Sequence, residues 1–366
     1  MAKLTNYNIG IALVVALGGF SFGFGSSSFI TSIGQPGFYL FFALDPTSTY
    51  TANVLVALNC LFCAGGCVGS VGQSGVADKL GQSPRFLTWR DRLDEAWKIL
   101  KRLHHDPTTL NEDDARSEFN AIVAQLEDEK RENATFIEML KRPSWRRRCI
   151  LVIFLLLAMQ STGVNGITNY LPVIFASLGM SPGMSLILYG KTCRAHDLRN
   201  SFCGFVGFAA CAMIGLAETL LQRKYIGTTS RARNSACVLF IFLFIAFFQC
   251  VDAPSLIWSA EVFPTILRAK GMSLAVSAFF AGTLAFAVPA GVAFKSIGWH
   301  MYLIYCALST LSLIVVYLYI PETKQIPIEE IGKLFGDHVA TDHGVALSDV
   351  KFERNHLEFS QPTVTQ

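Results

Sequence analysis

The residues best suited to chemistry are amides in the middle of an apolar stretch, "MQSTGVNGITNYLPVIF", residues 159–175. Gln160 and Asn165 can each donate and accept hydrogen bonds, which suits a ligand that carries several hydroxyl groups. Such side chains are costly in lipid unless they face the interior of a helix bundle or a water-filled cavity. We therefore expect them to line a site for a polyhydroxy solute. The alternative is hydrogen bonding between neighbouring helices, and the spacing leaves both interpretations open.

A second group with chemical potential is charged and lies where apolar runs end. Glu261 ends one such run, and Arg268 follows about two helical turns later. A carboxylate in that position is costly unless it is paired, so we expect a cluster of charges at this end of the helices. Glu322, in the sequence PETK, ends the last apolar run with another carboxylate. Charges at the ends of several helices can form a latch that breaks when the helices separate.

The elements that position these residues are long and apolar. The chain has 366 residues, of which 52% are hydrophobic and 16% charged, whereas a soluble protein usually carries about a quarter charged residues. Lys, Arg, Asp and Glu are absent from runs such as 149–190 and 271–294, and about 20 apolar residues suffice to cross a bilayer as a helix. This pattern predicts an all-α polytopic protein embedded in a lipid bilayer. Seven spans are expected: Ile9–Ile30, Thr51–Val71, Cys149–Leu171, Phe202–Leu221, Cys237–Trp258, Met272–Val292 and Met301–Ile320.

A charged block separates the second span from the third. Residues 78–148 hold 15 of the 30 Lys and Arg residues and 14 of the 27 Asp and Glu residues. Within the block, apolar residues recur at helical spacing, and Thr135 with Glu138 has the pattern of a capping box. Basic residues flank the spans on this side, for example the arginines at 146–148, so the positive-inside rule places the block and both termini in the cytoplasm. The predicted organisation is two membrane helices in 1–77, a cytoplasmic helical linker in 78–148, the other membrane helices in 149–320 and a cytoplasmic tail in 321–366.

Other classes of function find little support in the sequence. A net charge of +3 is no indication of a nucleic-acid partner. Cys60, Cys63 and Cys67 share a helix face, but small apolar side chains that pack in a membrane helix explain them better than metal ligands do. The pair His104-His105 lies in the charged block, and no catalytic constellation of His, Cys and carboxylate sits within one membrane depth. We therefore expect neither an enzyme nor a protein that holds a metal or a cofactor.

Six stretches of the chain together resemble the sugar porter family of the major facilitator superfamily, in its fungal branch. They are GGFSFGFGSSSF (18–29), GVADKLG (75–81), SPRFL (83–87), QSTGVN (160–165), AEVFPTILRAKG (260–271) and PETKQIPIEEI (321–331). The resemblance implies two six-helix halves, a substrate site between them near the midplane of the membrane, and alternating access. It also implies a sugar or a polyol as the substrate.

The resemblance assigns roles to individual residues. Gln160 and Asn165 match sugar-contact positions on the family's seventh helix, and Asn169 stands where the family often has an aromatic residue. Phe280 replaces a further aromatic residue on the eleventh helix. The family's cytoplasmic charge latch corresponds to Asp78, Glu261, Arg268 and Glu322.

The chain departs from the family in two places. The loop expected after the second helix and the loop expected after the sixth abut at residues 81–83, so four helices are predicted to be absent. The eighth helix is disrupted, because a span over 183–203 would bury four charged residues between 191 and 199 at a cost of about 10 kcal/mol. An incomplete major facilitator-type bundle, with about seven of the twelve family spans, is therefore expected.

The function that the resemblance implies is transmembrane transport of a hexose-like sugar by alternating access. Phe24 is followed by Gly25, where proton-coupled members carry an aspartate, so facilitated transport is favoured over symport. The alternative is a truncated, non-transporting or sensor-like member, because the missing helices remove most of one wall of the substrate path. Polar side chains would then face lipid unless the chain forms a homo-oligomer. The plasma membrane is the expected location.

Overall fold

The structure is a computed structural model, and its described residues form helices, turns and loops without a strand. This confirms the predicted all-α class. The described residues are 6–33, 35–45, 48–80, 83–103, 116, 119–120, 122–123, 135–169, 201–225, 231–323, 326 and 331–337.

Two long helices form the N-terminal part of the described chain. They are α1 (Asn6–Ile33) and α3 (Thr49–Leu80), with the short helix α2 (Pro36–Phe41) between them. Pro36 occupies the first position of α2, where the N–H that proline lacks would have no helical partner. The chain leaves α2 through Ala43, whose positive φ of 50° turns the backbone toward α3.

Three shorter helices belong to the charged block: α4 (Pro84–Trp89), α5 (Leu93–Leu103) and α6 (Phe136–Lys141). The side chain of Ser83 caps α4, since its Oγ accepts a hydrogen bond from the backbone N–H of Phe86 over 3.2 Å. Two apolar side chains of the block contact each other, with the rings of Trp97 and Phe119 5.4 Å apart. α6 begins after Thr135 as expected, but the Thr135 side chain makes no capping hydrogen bond, so the predicted capping box was wrong.

The rest of the described chain is a bundle of long and short helices. These are α7 (Pro143–Ser161), α8 (Val164–Asn169), α9 (Ser201–Tyr225), α10 (Arg231–Glu261), α11 (Arg268–Phe286), α12 (Ala290–Ile297), α13 (His300–Tyr319) and α14 (Ile331–Leu334). A 3-10 turn, Thr265–Leu267, joins α10 to α11. α11 stops at Phe286, earlier than the predicted end of that span, and a turn that contains Pro289 leads to α12. Proline cannot donate the backbone hydrogen bond that a continuing helix needs.

Six helices in the described part of the chain are long and apolar enough to cross a membrane. They are Asn53–Ala77, Pro143–Thr168, Gly204–Lys224, Leu239–Glu261, Thr265–Phe286 and His300–Tyr319. These coincide with the second to the seventh predicted spans and confirm them as membrane-length helices. The first predicted span lies in α1, whose apolar part, Ile9–Gly25, is shorter.

The packed core lies in the bundle formed by α7 to α13. α9 packs along α10 and α13, while α7 and α3 both pack along α11. Met159, Phe208 and Ile241 are among the side chains buried in this core. Gly207 lets α9 approach α10 closely, because a Cβ at this position would lie only 3.0 Å from the backbone carbonyl carbon of Cys250.

The N-terminal helices are covered much less by the described chain. Side chains along α1 are mostly exposed, and Phe20 keeps 67% of its surface accessible. On α3, Gly66 is tightly packed, since an added Cβ would lie 2.5 Å from the ring of Phe280. An added Cβ at Gly65 or Gly69 would meet none of the described residues within 4 Å. The two regions therefore differ in packing although both are apolar.

Ring contacts at its two ends fix the direction of α9. Phe205, near the start of α9, pairs with Tyr317 near the end of α13, with ring centroids 5.5 Å apart. Arg223, near the end of α9, lies 5.5 Å from the ring of Trp299, just before α13. The two helices are therefore antiparallel. The disrupted eighth helix was predicted over 183–203, of which 183–200 lie outside the described residues, as do residues 81–82 of the loop junction at 81–83 and the tail from 338 onward.

Candidate solute-binding site

A break in the third predicted span shapes the candidate site. α7 ends at Ser161 and α8 begins at Val164, so the helix is interrupted at Thr162 and Gly163. Gly163 has a φ of +85°, a backbone conformation that residues with a Cβ adopt only under strain. The third predicted span therefore has the length and hydropathy of a membrane crossing, but its helix is broken at Thr162 and Gly163.

The two predicted amides meet across this break. Each residue of a regular α-helix turns by about 100°, so side chains five positions apart would point about 140° away from each other. Instead, Nδ2 of Asn165 donates a hydrogen bond to Oε1 of Gln160 over 2.6 Å. The structure therefore joins two side chains that a straight helix would hold apart.

The amide pair retains a hydrogen-bond donor. Gln160 is buried, with 1% of its surface exposed, and Asn165 is half-buried. The Nε2 atom of Gln160 has no hydrogen-bond partner among the described residues. A buried donor normally finds a partner in the protein, in a ligand or in ordered water. The amide pair therefore keeps one buried donor without a partner among the described residues.

Helix α11 restricts the glutamine from another side. Gly282 lies directly against it, because a Cβ on Gly282 would be 2.8 Å from both Cβ and Cγ of Gln160. Such close contact leaves the Gln160 side chain few rotamers. The contact therefore helps to keep the glutamine amide next to Asn165.

The other two predicted contact residues are placed differently. Phe280 lies on α11 two positions before Gly282, so it points about 160° away from that glycine. Its buried ring packs 6.2 Å from the ring of Phe62 on α3 and 6.3 Å from that of Phe22 on α1. Phe280 thus joins α11 to the N-terminal helices, and a contact with solute stays a prediction. The side chain of Asn169 lies outside the described residues.

A small cavity lies next to the break between α7 and α8 and is enclosed by α8, α9, α10 and α13, with room for about one water molecule. It is lined by Thr162, Ile167, Cys211, Gly215, Glu218, Ile241, Phe244, Tyr302, Tyr305, Cys306 and Ser309. Glu218 is 3% exposed, and one of its oxygens accepts a hydrogen bond from Nε2 of Gln222 over 2.7 Å. Glu218 was not among the residues predicted from the sequence. The available signal was a single acidic residue inside the apolar run 202–221, where ionisable side chains are rare.

Three residues of the predicted charge latch lie at the same end of the bundle. Glu261 is the last residue of α10 and Arg268 is the first of α11. Nε1 of Trp258 donates a hydrogen bond to the carbonyl oxygen of Pro321 over 3.3 Å, which brings the chain before Glu322 against α10. Ion pairing within the latch stays a prediction.

The side chain of the fourth latch residue, Asp78, lies outside the described residues, although its backbone belongs to α3.

A further charge is buried at the start of α7. Arg148 was predicted to flank the third span on the cytoplasmic side, and the residue lies inside α7 with 2% of its surface exposed. Its guanidinium forms an ion pair with Asp337 and lies 4.8 Å from the ring centroid of Phe335. The segment after α14 therefore compensates this charge. The partners stand 189 positions apart, a separation across which sequence patterns give no pairing signal.

Comparison with known structures identifies the class of fold. The chain is similar to the MFS (major facilitator superfamily) proton:xylose symporter XylE, with a TM-score of 0.56 and 19% identity. The similarity covers 69% of this chain and 54% of that one. It shows a major facilitator-type helix bundle, which confirms the predicted architecture.

The sequence identifies the family. The family model for "Sugar (and other) transporter" matches residues 79–193 and 199–335, so the chain belongs to that family. Two relatives come from fungi: the MFS-type transporter criB of Aspergillus cristatus, 29% identical, and the MFS glucose transporter mfs1 of Aspergillus flavus, 27% identical. The matches cover 75% and 69% of this chain but 58% and 53% of the relatives. The chain therefore spans little more than half the length of these two proteins.

Proposed function

We propose that this chain carries a hexose-like sugar or a polyol across a membrane by alternating access. The observation that carries the proposal is the buried amide pair, in which Asn165 donates to Gln160 and Nε2 of Gln160 keeps an open donor. A hydroxylated solute suits this pair because its oxygen accepts from the open donor while its hydroxyl hydrogen is donated to an amide oxygen. Membership in the Sugar (and other) transporter family supports the same class of solute.

Each predicted site residue has a role in this proposal. Gln160 and Asn165 orient the solute, and Asn169 is a third contact residue, proposed from the sequence alone. Phe280 closes the site toward the N-terminal helices, a role supported by its ring contacts with α1 and α3. The cytoplasmic latch consists of Asp78, Glu261, Arg268 and Glu322, and it opens when the helix ends separate.

Transport is facilitative in this proposal, because Gly25 stands where the resemblance expects an aspartate in proton-coupled members. A protonophore should therefore leave the initial rate of uptake unchanged, whereas a symporter would slow down. The chain lies in the plasma membrane with both termini and the linker 78–148 in the cytoplasm, as the basic flanks favour. Epitope tags at both termini should therefore be reached by antibody only after the cells are permeabilised.

A second candidate is a truncated, non-transporting or sensor-like member of the family. The exposure of α1 favours it, because Phe20 and its neighbours lack a cover within the described chain. A homo-oligomer would supply such a cover from a second copy. Cross-linking of the intact protein in membranes, followed by gel electrophoresis, distinguishes a discrete dimer from a monomer.

Uptake of labelled glucose in a host without hexose transporters of its own tests the main proposal. We expect saturable uptake that Gln160→Ala and Asn165→Ala weaken, each raising KM roughly fivefold for the loss of one hydrogen bond. Asn59→Ala is a matched control, because Nδ2 of Asn59 is already bonded to Leu55 of its own helix over 2.9 Å. This variant should transport like the unchanged chain.

Immunoblots of the membrane fraction must accompany the uptake assay. If the unchanged chain reaches the plasma membrane and uptake remains at the background of the host, the transport proposal fails and the second candidate stands. If uptake occurs but tolerates both amide substitutions, the chain transports through a different site.

A further inference from the structure

We propose that Tyr305, on α13, is a positioning residue that holds the break between α7 and α8 in the shape that joins Gln160 to Asn165. None of the sequence patterns pointed to this tyrosine. The proposal rests on contacts of Tyr305 with three parts of the structure: the break itself, the first turn of α8 and the end of α11. The consequence for sugar affinity rests on the proposed function, whereas the packing role can be tested without a sugar.

The first contact is with the break itself. A Cβ on Gly163 would lie 2.4 Å from the ring of Tyr305, so the ring fills the space where any other residue would place its side chain. Gly163 is also the residue with the left-handed backbone, at φ +85°. The ring therefore lies against the point at which the chain changes direction.

The second contact is with the first turn of α8. A Cβ on Gly166 would lie 2.5 Å from the hydroxyl oxygen of Tyr305. Because Gly166 is the residue after Asn165, a shift of the hydroxyl would let the Asn165 end of the amide pair move. The ring and hydroxyl of Tyr305 on α13 thus fill the space left by the missing side chains of Gly163, in the break, and Gly166, in α8.

The third contact anchors the tyrosine to α11. Its hydroxyl donates a hydrogen bond to the carbonyl oxygen of Phe286 over 2.9 Å. Phe286 is the last residue of α11, where backbone carbonyls lack partners within the helix. The same helix presents Gly282 to Gln160. Tyr305 therefore fixes α8 relative to the helix that restrains the other amide.

A stability measurement tests this packing without any ligand. We expect Gly166→Ala to lower the melting temperature of the purified full chain in detergent, because the new methyl group meets the tyrosine hydroxyl. Tyr305→Phe removes that hydroxyl, so the nearest atom to the new methyl becomes Cβ of Ala290 at 3.1 Å. The combined variant should then lose less than the sum of the single losses. Fully additive losses would overturn the proposed packing.

Equilibrium binding of labelled glucose to the same preparations tests the positioning role. Tyr305→Phe should weaken binding roughly fivefold, as expected for one lost hydrogen bond. In a chain that already carries Asn165→Ala, the same substitution should have little further effect, because the Asn165 amide that Tyr305 positions against Gln160 is already gone. A merely structural tyrosine would weaken binding equally in both backgrounds, and that result would overturn the proposal.

Tyr317→Phe is the matched control, since Tyr317 lies on the same helix and is exposed. It should change neither the melting temperature nor the affinity. If the unchanged chain binds no sugar at all, the proposed function fails, and the stability measurement alone decides whether Tyr305 holds the break.

Discussion

The helices before and after the charged block have similar apolar composition but very different packing. Phe208 in α9 is 1% exposed, whereas Phe20 in α1 is 67% exposed. The later helices bury one side against each other and keep apolar side chains such as Leu220 and Leu318 exposed on the other, whereas the side chains of α1 are exposed along most of the helix. Hydrophobicity alone therefore does not show which helices stabilise the fold, because lipid satisfies an apolar side chain as well as a neighbouring helix does.

The largest expected difference between the regions comes from removing a phenyl ring. Phe208→Ala should lower the free energy of unfolding by about 3–5 kcal/mol, since it leaves a cavity in the packed bundle. Phe20→Ala should change the free energy of unfolding by less than about 0.5 kcal/mol, because the ring is mostly exposed and its stacking on Phe24 lies at the surface. Denaturant titration of both variants in mixed micelles measures the difference. Equal losses would mean that α1 is covered in the native protein, so that the two regions do not differ in packing.

A smaller effect is expected from the buried ion pair. Asp337→Ala leaves the guanidinium of Arg148 buried without its counter-charge and should cost about 2–3 kcal/mol, below the usual range because Asp337 is partly exposed. The same titration measures it. Arg146→Ala, an exposed arginine of the same helix, is the control and should be nearly neutral. A neutral Asp337→Ala would show that water already solvates Arg148.

Matched glycine substitutions sharpen the comparison further. Gly207→Ala should destabilise the protein by about 1–2 kcal/mol, because the methyl group collides with the rigid backbone of α10. Gly69→Ala on α3 should be neutral or should stabilise by up to about 1 kcal/mol through helix propensity. The melting temperatures of the two variants, measured side by side, give the difference in stability. A destabilising Gly69→Ala would reveal a partner of α3 in the intact protein.

The smallest effect is expected at the boundary between the two regions. Ser83→Ala removes the cap of α4 and should cost about 1 kcal/mol locally, so trypsin should cut after Arg85 about fivefold faster. Thr135→Ala is the control, because Thr135 occupies the same position before α6 but makes no capping bond. Cleavage rates are read from gels over time. If both variants behave alike, the Ser83 hydrogen bond contributes nothing measurable.

The sequence predicted the parts of the fold that depend on local composition. Runs without charge located the membrane helices, and the buried amides Gln160 and Asn165 could be selected because polar groups are costly in lipid. The meeting of these two amides could not be predicted from a five-residue spacing, which on a straight helix separates them. That meeting depends on the left-handed backbone of Gly163 and on the ring of Tyr305.

Other failures of prediction share one cause, which is dependence on distant partners. Arg148 has the sequence context of a solvated flank, and its burial depends on the arrival of Asp337. Tyr305 has the context of an ordinary apolar helix, and its importance comes from glycines on another helix. Helical periodicity describes one helix at a time, so it cannot show which faces will meet.

The ion pair between Arg148 and Asp337 has a consequence for biosynthesis. The first turns of α7 leave the ribosome 189 residues before Asp337 does. Until then the nascent chain lacks the carboxylate that pairs with this guanidinium in the folded protein, and burying the guanidinium without that carboxylate would cost several kcal/mol. The start of α7 therefore stays exposed to water at the membrane surface. The guanidinium of Arg148 can become buried only after Asp337 has been translated.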